Sequence, residues 1–173
     1  MVLRVGLGGL PRLAPLETDS VACHVLPWDL DYNLHLNNSR YLAYMDYGRI
    51  RLLARLGLLR RFFRRGNSAL VCSVDITYRR SLNFAARFTL DSRIACWDEK
   101  WIYMEQTFTG AQGLAAHAWV KTLFRNRQGN VAPQELVDSL APGVVAPPLS
   151  PRLLQWNAAI RETLHAVDGS HAR

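Results

Sequence analysis

The spacing of apolar residues changes once between residues 39 and 125, and that change limits what the chain can fold into. From Ser39 onward, Leu42, Met45, Leu52, Leu53, Leu56, Leu59 and Phe63 recur at three- and four-residue steps, as on one helix with an apolar face ending at Gly66-Asn67. After Gly66 the period becomes two: Leu70, Cys72, Val74, Ile76 and Tyr78 alternate with Ser73, Asp75, Thr77 and Arg79, the pattern of a half-buried strand. Further strands are expected over 86–97, 101–109 and 114–125. The turns Asp98-Glu99-Lys100 and Gly110-Ala111-Gln112-Gly113 are short enough for antiparallel hairpins. Leu114, Ala116, Ala118 and Val120 give the last strand a small apolar face, which suits a central strand packed close beneath a helix.

Ahead of the helix, residues 18–28 read as a first strand stopped at Pro27, because proline cannot donate to a ladder. Asn37, Asn38 or Ser39 can cap the helix by accepting a hydrogen bond from an amide of its first turn. One strand, one long helix and a four-stranded meander predict an α+β domain, an antiparallel five-stranded sheet wrapped around a central helix. The sheet's other face and edge need cover, which implies a homo-oligomer, dimer or tetramer. With 173 residues and 49% hydrophobic composition the chain suits one such domain. It is divided here into an N-terminal extension (1–17), the domain itself (18–130) and a Pro-rich tail (131–173). Gly129, Pro133, Pro142, Gly143, Pro147 and Pro148 make the tail extended before a short amphipathic helix at 151–165.

A formal charge of +7 favours polyanionic partners: nucleic acid, anionic lipid or the phosphates of a coenzyme. No recognised nucleic-acid motif accompanies it, so nucleic acid is not the expected partner. The run Arg49, Arg51, Arg55, Arg60, Arg61, Arg64 and Arg65 reads as a solvated helix face. Cys23, Cys72 and Cys96 are odd in number and widely spaced, which fits reduced thiols and predicts a cytoplasmic protein. Arg4, Pro11, Arg12 and Pro15 interrupt the apolar N-terminus well short of the roughly 20 residues a membrane span needs, so none is expected.

Polar groups with chemical potential concentrate between the first strand and the helix, at Asp29, Asp31, His35, Asn37 and Asn38. A helix start presents free amides and a positive dipole end, which polarise a carbonyl and stabilise the oxyanion formed on attack. A carboxylate one loop away can attack that carbonyl or activate water. On spacing alone these residues also read as caps and turns, and a metal set of Asp29, Asp31 and His35 lacks a second histidine to complete it.

The run Asp31-Tyr32-Asn33-Leu34-His35-Leu36-Asn37-Asn38-Ser39-Arg40-Tyr41-Leu42 resembles the signature of hotdog-fold thioesterases related to 4-hydroxybenzoyl-CoA thioesterase. That signature has Asp, two variable residues, often Gly, then His-Val-Asn-Asn and a Tyr-Leu pair entering the central helix. The resemblance covers residues 18–125 and implies hydrolysis of an acyl-CoA or acyl-carrier thioester, with no cofactor beyond the coenzyme A of the substrate. Carried across, Asp31 falls on the catalytic carboxylate and Asn38 on the amide that polarises the thioester carbonyl, with His35 the third candidate. Lys100, in the turn after Trp97, and Arg79 and Arg80, at the end of the strand after the helix, become candidates for the coenzyme phosphates. Leu34 departs from the pattern where glycine is common, and glycine there would allow a tight turn.

Two rival functions share the fold. Hydratases of acyl thioesters pair an Asp with a His, but their pattern separates the two by one residue more than Asp31 and His35. A binding module without turnover would use Asp31 only as a loop cap.

Overall fold

The computed structural model describes residues 11–59, 66 and 68–171. Strand β1 (Asp19–His24) and a single 3-10 turn (Pro27–Asp29) lead to helix α1 (Asn38–Arg55). Strands β2 (Ser68–Tyr78), β3 (Arg87–Trp97), β4 (Ile102–Gly110) and β5 (Gly113–Asn126) follow. The chain closes with the two-residue β6 (Gly129–Asn130), α2 (Pro133–Asp138) and α3 (Pro151–His171). All strand pairs are antiparallel, in the order β1-β3-β4-β5-β2, with β6 beside β5. This is the hotdog arrangement, with one strand more than the five expected.

Helix α1 lies against one face of the sheet and buries Tyr41, Tyr44, Met45, Gly48, Leu52 and Leu53. Beneath it, β4 and β5 present Ile102, Met104, Phe108, Ala116, Ala118 and Val120, all buried in one core cluster. The helix comes close to the sheet over β3 and β4 at Gly48. A Cβ there would stand 2.6 Å from Ser92 Oγ, 2.9 Å from Gln106 Nε2 and 3.0 Å from Leu90 Cδ2. Gln106 is fully buried in β4, and its amide is completely used: Nε2 donates to the Met45 carbonyl and to Ser92 Oγ, each at 2.9 Å. Its Oε1 accepts from Arg49 Nη1, also at 2.9 Å.

That contact corrects the reading of the arginine run. Arg49 is tied to Gln106, and Arg51 and Arg55 close on the buried Asp19 carboxylate of β1 at 2.8 and 2.6 Å. These three arginines stitch the helix to the sheet rather than solvating a face. Arg60, Arg61, Arg64 and Arg65 lie outside the described residues.

The helix also stops sooner than the periodicity suggested. Gly57 takes φ +76, its amide bonds the Ala54 carbonyl at 3.0 Å, and the Leu58 amide bonds the Leu53 carbonyl at 2.9 Å. That pair of bonds is a Schellman cap, and it turns Leu58 into the core. Leu42, counted on the apolar face, is 46% exposed, because Tyr41 takes the inward position. Phe63 lies outside the described residues.

In β2 the strict alternation fails at a bulge. Val71 pairs with Thr122 and Ser73 with Lys121, leaving Cys72 without a partner. An extra residue reverses which side chains face the helix. Val74 and Ile76 therefore pack on the core while Leu70 and Cys72 are exposed.

Residues 131–150, expected as an extended tail, fold back onto the domain. Leu136 and Val137 of α2 are buried in the main core, and Trp97 Nε1 donates to Gln134 Oε1 at 2.9 Å. Helix α3 starts on the opposite face of the sheet, where Leu153 packs with Cys96 and Tyr103. Lys121 Nζ donates to Asn157 Oδ1 at 2.6 Å and lies 4.5 Å from the Trp101 ring centroid. No helix among the described residues is long and apolar enough to cross a membrane.

Gly48→Ala should lower stability despite alanine's better helix propensity. Overpacking against buried atoms costs about 1–3 kcal/mol and a lost Gln106 bond about 1, against a propensity gain of about 1. A thermal melt should show a drop of several degrees. An unchanged or raised midpoint would contradict the close-approach account.

Candidate active site

The segment between β1 and α1 is a tight hairpin. Leu30 and Leu36 form an antiparallel bridge, the Asp31 amide donates to the His35 carbonyl at 2.9 Å, and the Leu34 amide donates to the Asp31 carbonyl at 3.1 Å. Leu34 has φ +60 and is 66% exposed. This is the left-handed position that closes a three-residue hairpin loop, where glycine is the usual occupant. The loop thus keeps the glycine-type turn with leucine in it, at a cost of roughly 1 kcal/mol.

The turn aims Asp31. Its Oδ1 accepts from the amides of Asn33 at 2.8 Å and His35 at 3.2 Å. Among the described residues, Oδ2 meets no donor. Asn37 is the helix cap: its Oδ1 accepts from the Ser39 amide at 2.9 Å and from Ser39 Oγ at 2.7 Å, while its carbonyl receives the Arg40 amide at 2.8 Å. The amides of the second and third helical residues are thereby satisfied. The amide of Asn38, the first helical residue, precedes any intrahelical bond and is left for a ligand or water.

Asp31, His35 and Asn38 line one open cavity of about 230 Å³ together with Tyr41, Tyr78, Arg79, Arg80 and Ser81. The chain after β2 is brought there by pairing with the hairpin: the Leu36 amide donates to the Leu82 carbonyl at 2.7 Å, and His35 bridges Asn83. Five of the six residues expected from sequence, Asp31, His35, Asn38, Arg79 and Arg80, therefore meet at one place. Lys100 does not. It sits in the β3–β4 turn, its amide on Asp98 Oδ1 at 2.9 Å and its ammonium 4.7 Å from the Trp101 ring. The cavity lies at the other end of β4, where Gly110 pairs with Gly113. The nine residues of β4 span about 30 Å. A phosphate contact by Lys100 at this cavity would have to come from a second copy of the chain.

Sequence reasoning missed the aromatic wall. Tyr41 and Tyr78 stack edge to face with centroids 4.9 Å apart, and the Tyr78 hydroxyl donates to the Asn38 carbonyl at 3.4 Å. Burial, with Tyr78 beside it, pushes the Tyr41 hydroxyl up to about 12, so it remains a neutral donor at physiological pH. Tyr41 stood within the recognised motif and Tyr78 on the predicted inward face of its strand. Their convergence required the three-dimensional path of the chain.

Asp29 has a different task. It is fully buried, its Oδ1 is 2.7 Å from both Nε and Nη2 of Arg40, and its Oδ2 takes the Leu26 amide at 3.1 Å and the Tyr44 hydroxyl at 2.7 Å. Burial first, then the bond to Asp29, raise the Tyr44 hydroxyl, which keeps it a donor. With Asp29 committed in this way, the three-residue metal set considered from sequence is not assembled. Among the described residues no group of three or more His, Cys, Asp or Glu side chains is placed to hold a metal ion.

The two aspartates should respond oppositely to amidation. Asp29→Asn breaks a buried ion pair and should cost roughly 3 kcal/mol, read as a large fall in melting temperature. Asp31→Asn keeps an acceptor for both turn amides and should melt near the wild type. Leu34→Gly should raise the midpoint by a few degrees by relieving the left-handed leucine. Equal melting of the two Asn variants would contradict the division of labour.

A family model described as the thioesterase-like superfamily matches residues 25–157. Protein THEM6 of Xenopus laevis is 32% identical over 170 residues, covering 91% of this chain and 80% of that protein. Among solved structures, the probable thioesterase YbaW of Escherichia coli superposes with a TM-score of 0.64 at 20% identity, over 71% of this chain and 96% of that one. A Staphylococcus aureus protein solved in complex with CoA does so at 0.65 and 18% identity, over 80% and 92%. The chain belongs to the thioesterase-like superfamily.

Proposed function

We propose that the chain hydrolyses an acyl-CoA thioester to the free acid and CoA at the cavity between Asp31 and the start of α1. The observation that carries this reading is that an aimed carboxylate with one oxygen unengaged and the first free amide of a helix line the same cavity. In the proposed reaction the amide of Asn38 receives the thioester oxygen and polarises the carbonyl. Asp31 then either takes a proton from an attacking water, so that the acid forms as the thiolate of CoA leaves, or attacks the carbonyl carbon itself. In the second case the departing thiolate leaves behind a mixed anhydride, which water hydrolyses to the acid and free Asp31. Arg79 and Arg80 supply positive charge for the coenzyme phosphates. His35 contributes its backbone to the turn, and its ring is available at the cavity.

The proposed working form is a homodimer with the cavity at its interface. The eleven residues of β2 form an edge of the sheet, with Leu70, Val71 and Tyr78 exposed. An exposed apolar edge favours pairing with another strand. Tyr78 belongs to both the edge and the cavity, so a second copy along β2 would cover the open side of the site. The described cysteines are all free thiols, as a reducing cytoplasmic setting would keep them.

One observation favours a second reading, in which the chain binds acyl-CoA without turning it over. Asp31 Oδ1 already caps its own turn, a sufficient structural reason for an aspartate at this position. Asp31→Asn separates the two, because it retains the cap and removes the carboxylate. With a panel of acetyl-, decanoyl- and benzoyl-CoA followed by thiol release, the wild type should cleave at least one. The variant should lose about three orders of magnitude in kcat with KM changed less than about threefold. Full activity in the variant would contradict the role of Asp31, and binding without cleavage by the wild type would favour the second reading.

A further inference from the structure

The cavity at Asp31 does not end at Arg80. A second cavity of about 190 Å³ shares Arg80 and Ser81 with it and runs along the β4–β5 turn past Gln112 to Arg87. A third, of about 620 Å³, shares Arg87, Gly110 and Ala111 with the second and opens over the outward side chains of β1, β3 and β4, at His24, Thr89 and Thr109. Because neighbours share these lining residues, the three lie in series as a trough across the end of the sheet, from Asp31 to the far side of Arg87.

The charge along this trough runs one way. Asp31 is the acidic side chain at its start, and among the described residues no other carboxylate lines any of the three cavities. Arg79, Arg80 and Arg87 follow in order. Arg40, Arg49, Arg51, Arg55, Arg93 and Arg152 all stand in ion pairs with carboxylates elsewhere in the molecule. In the trough, by contrast, Arg80 is steadied by donating from Nη1 to the Leu114 carbonyl at 3.2 Å, which leaves its charge uncompensated. Arg87 opens β3 opposite His24, with its guanidinium exposed where the second and third cavities meet.

We infer that Arg87 and Arg80 form the phosphate subsite of this chain, and that the coenzyme part of the thioester lies along the trough from Asp31 across the β4–β5 turn. This rests on the proposed acyl-CoA reading and adds to it a direction and a binding residue. A thioester held at Asp31 carries on its sulfur a long polar arm that ends in a diphosphate and a ribose phosphate. The trough offers that arm a run of adjoining hollows, small and polar outward side chains at its far end, and, beyond Asp31, cations with no carboxylate lining the cavities beside them. The acyl group is then directed the other way, toward the Tyr41 and Tyr78 wall and the β2 edge.

The test compares an acyl-CoA with the N-acetylcysteamine thioester of the same acid, which lacks the phosphates. Arg87→Glu should reduce the preference for the CoA ester over the truncated ester roughly tenfold, through KM rather than kcat. Arg125→Glu, the same charge change at an exposed position on β5 outside the trough, should leave the preference intact. Arg87→Gln serves as a milder variant if the reversal does not fold. Calorimetric titration with CoA alone reads the subsite without turnover: binding should weaken roughly tenfold in Arg87→Glu and become less sensitive to salt. A wild type that cleaves nothing yet binds CoA through Arg87 would sink the hydrolase reading and keep the subsite. A preference and CoA affinity unchanged by Arg87→Glu, or a wild type that binds no CoA, would overturn the subsite.

Discussion

Helix α1 can lie where it does because Gly48 has no side chain and Gln106 has one of the right length. The backbone of the helix comes close enough to β4 for a buried amide to bond the Met45 carbonyl, Ser92 and Arg49 together. A buried amide with every group satisfied fixes position more sharply than apolar packing, because a small displacement leaves a polar group unpaired at a cost of about 1–3 kcal/mol. Arg51 and Arg55 extend the clamp to Asp19 on β1. The helix is thereby held along its length, and its first residue, Asn38, is set at a fixed place over the sheet end. The site's electrophilic element is a backbone amide, so its geometry depends on how firmly this helix is seated.

The aspartate side of the site is fixed by a separate device. Asp29 is an internal anchor that holds Arg40 and Tyr44 of the helix, and its carbonyl receives the Asn37 amide at 2.8 Å. From that anchor the chain makes its hairpin, with Leu34 in the left-handed region, and returns at His35 to bond Asp31. Two aspartates two residues apart thus serve opposite purposes: one is surrounded by donors and structural, the other faces a cavity with an oxygen to spare. The strain at Leu34 is small beside what the turn achieves, which is to direct one carboxylate at the start of a helix.

The order of the first five strands and the central helix, the bounds of β2 to β5 to within a residue and the helix start were legible, because each rests on a local signal of period or cap. The first strand, read as running to Pro27, already ends at His24. Gly57 was available as a stop signal but was outweighed by apolar residues continuing beyond it. The bulge at Cys72 left no trace in a sequence whose alternation looks unbroken, since a bulge is set by pairing with β5. Prolines between 133 and 148 suggested an extended segment, and burial of Leu136 and Val137 overrode them. The arginine run looked solvated because its acceptors, Asp19 and Gln106, are 36 and 57 residues away from their partners in the chain. At the site, the motif identified Asp31, His35 and Asn38, whereas the tyrosine wall and the trough to Arg87 exist only once β2 has folded back beside the hairpin. Lys100 was a candidate for the coenzyme phosphates through the family resemblance, and the length of β4 separates it from the Asp31 cavity within one chain.

The claim at the centre of this account is geometric: the thioester sits between Asp31 and the first amide of α1. A crystal structure of the chain with a non-hydrolysable acyl-CoA analogue measures it directly. The account predicts the analogue's carbonyl oxygen within hydrogen-bond distance of the Asn38 amide and its carbonyl carbon facing Asp31 Oδ2. An analogue bound with that carbonyl away from Asp31, for example at the β3–β4 turn beside Lys100, would contradict it.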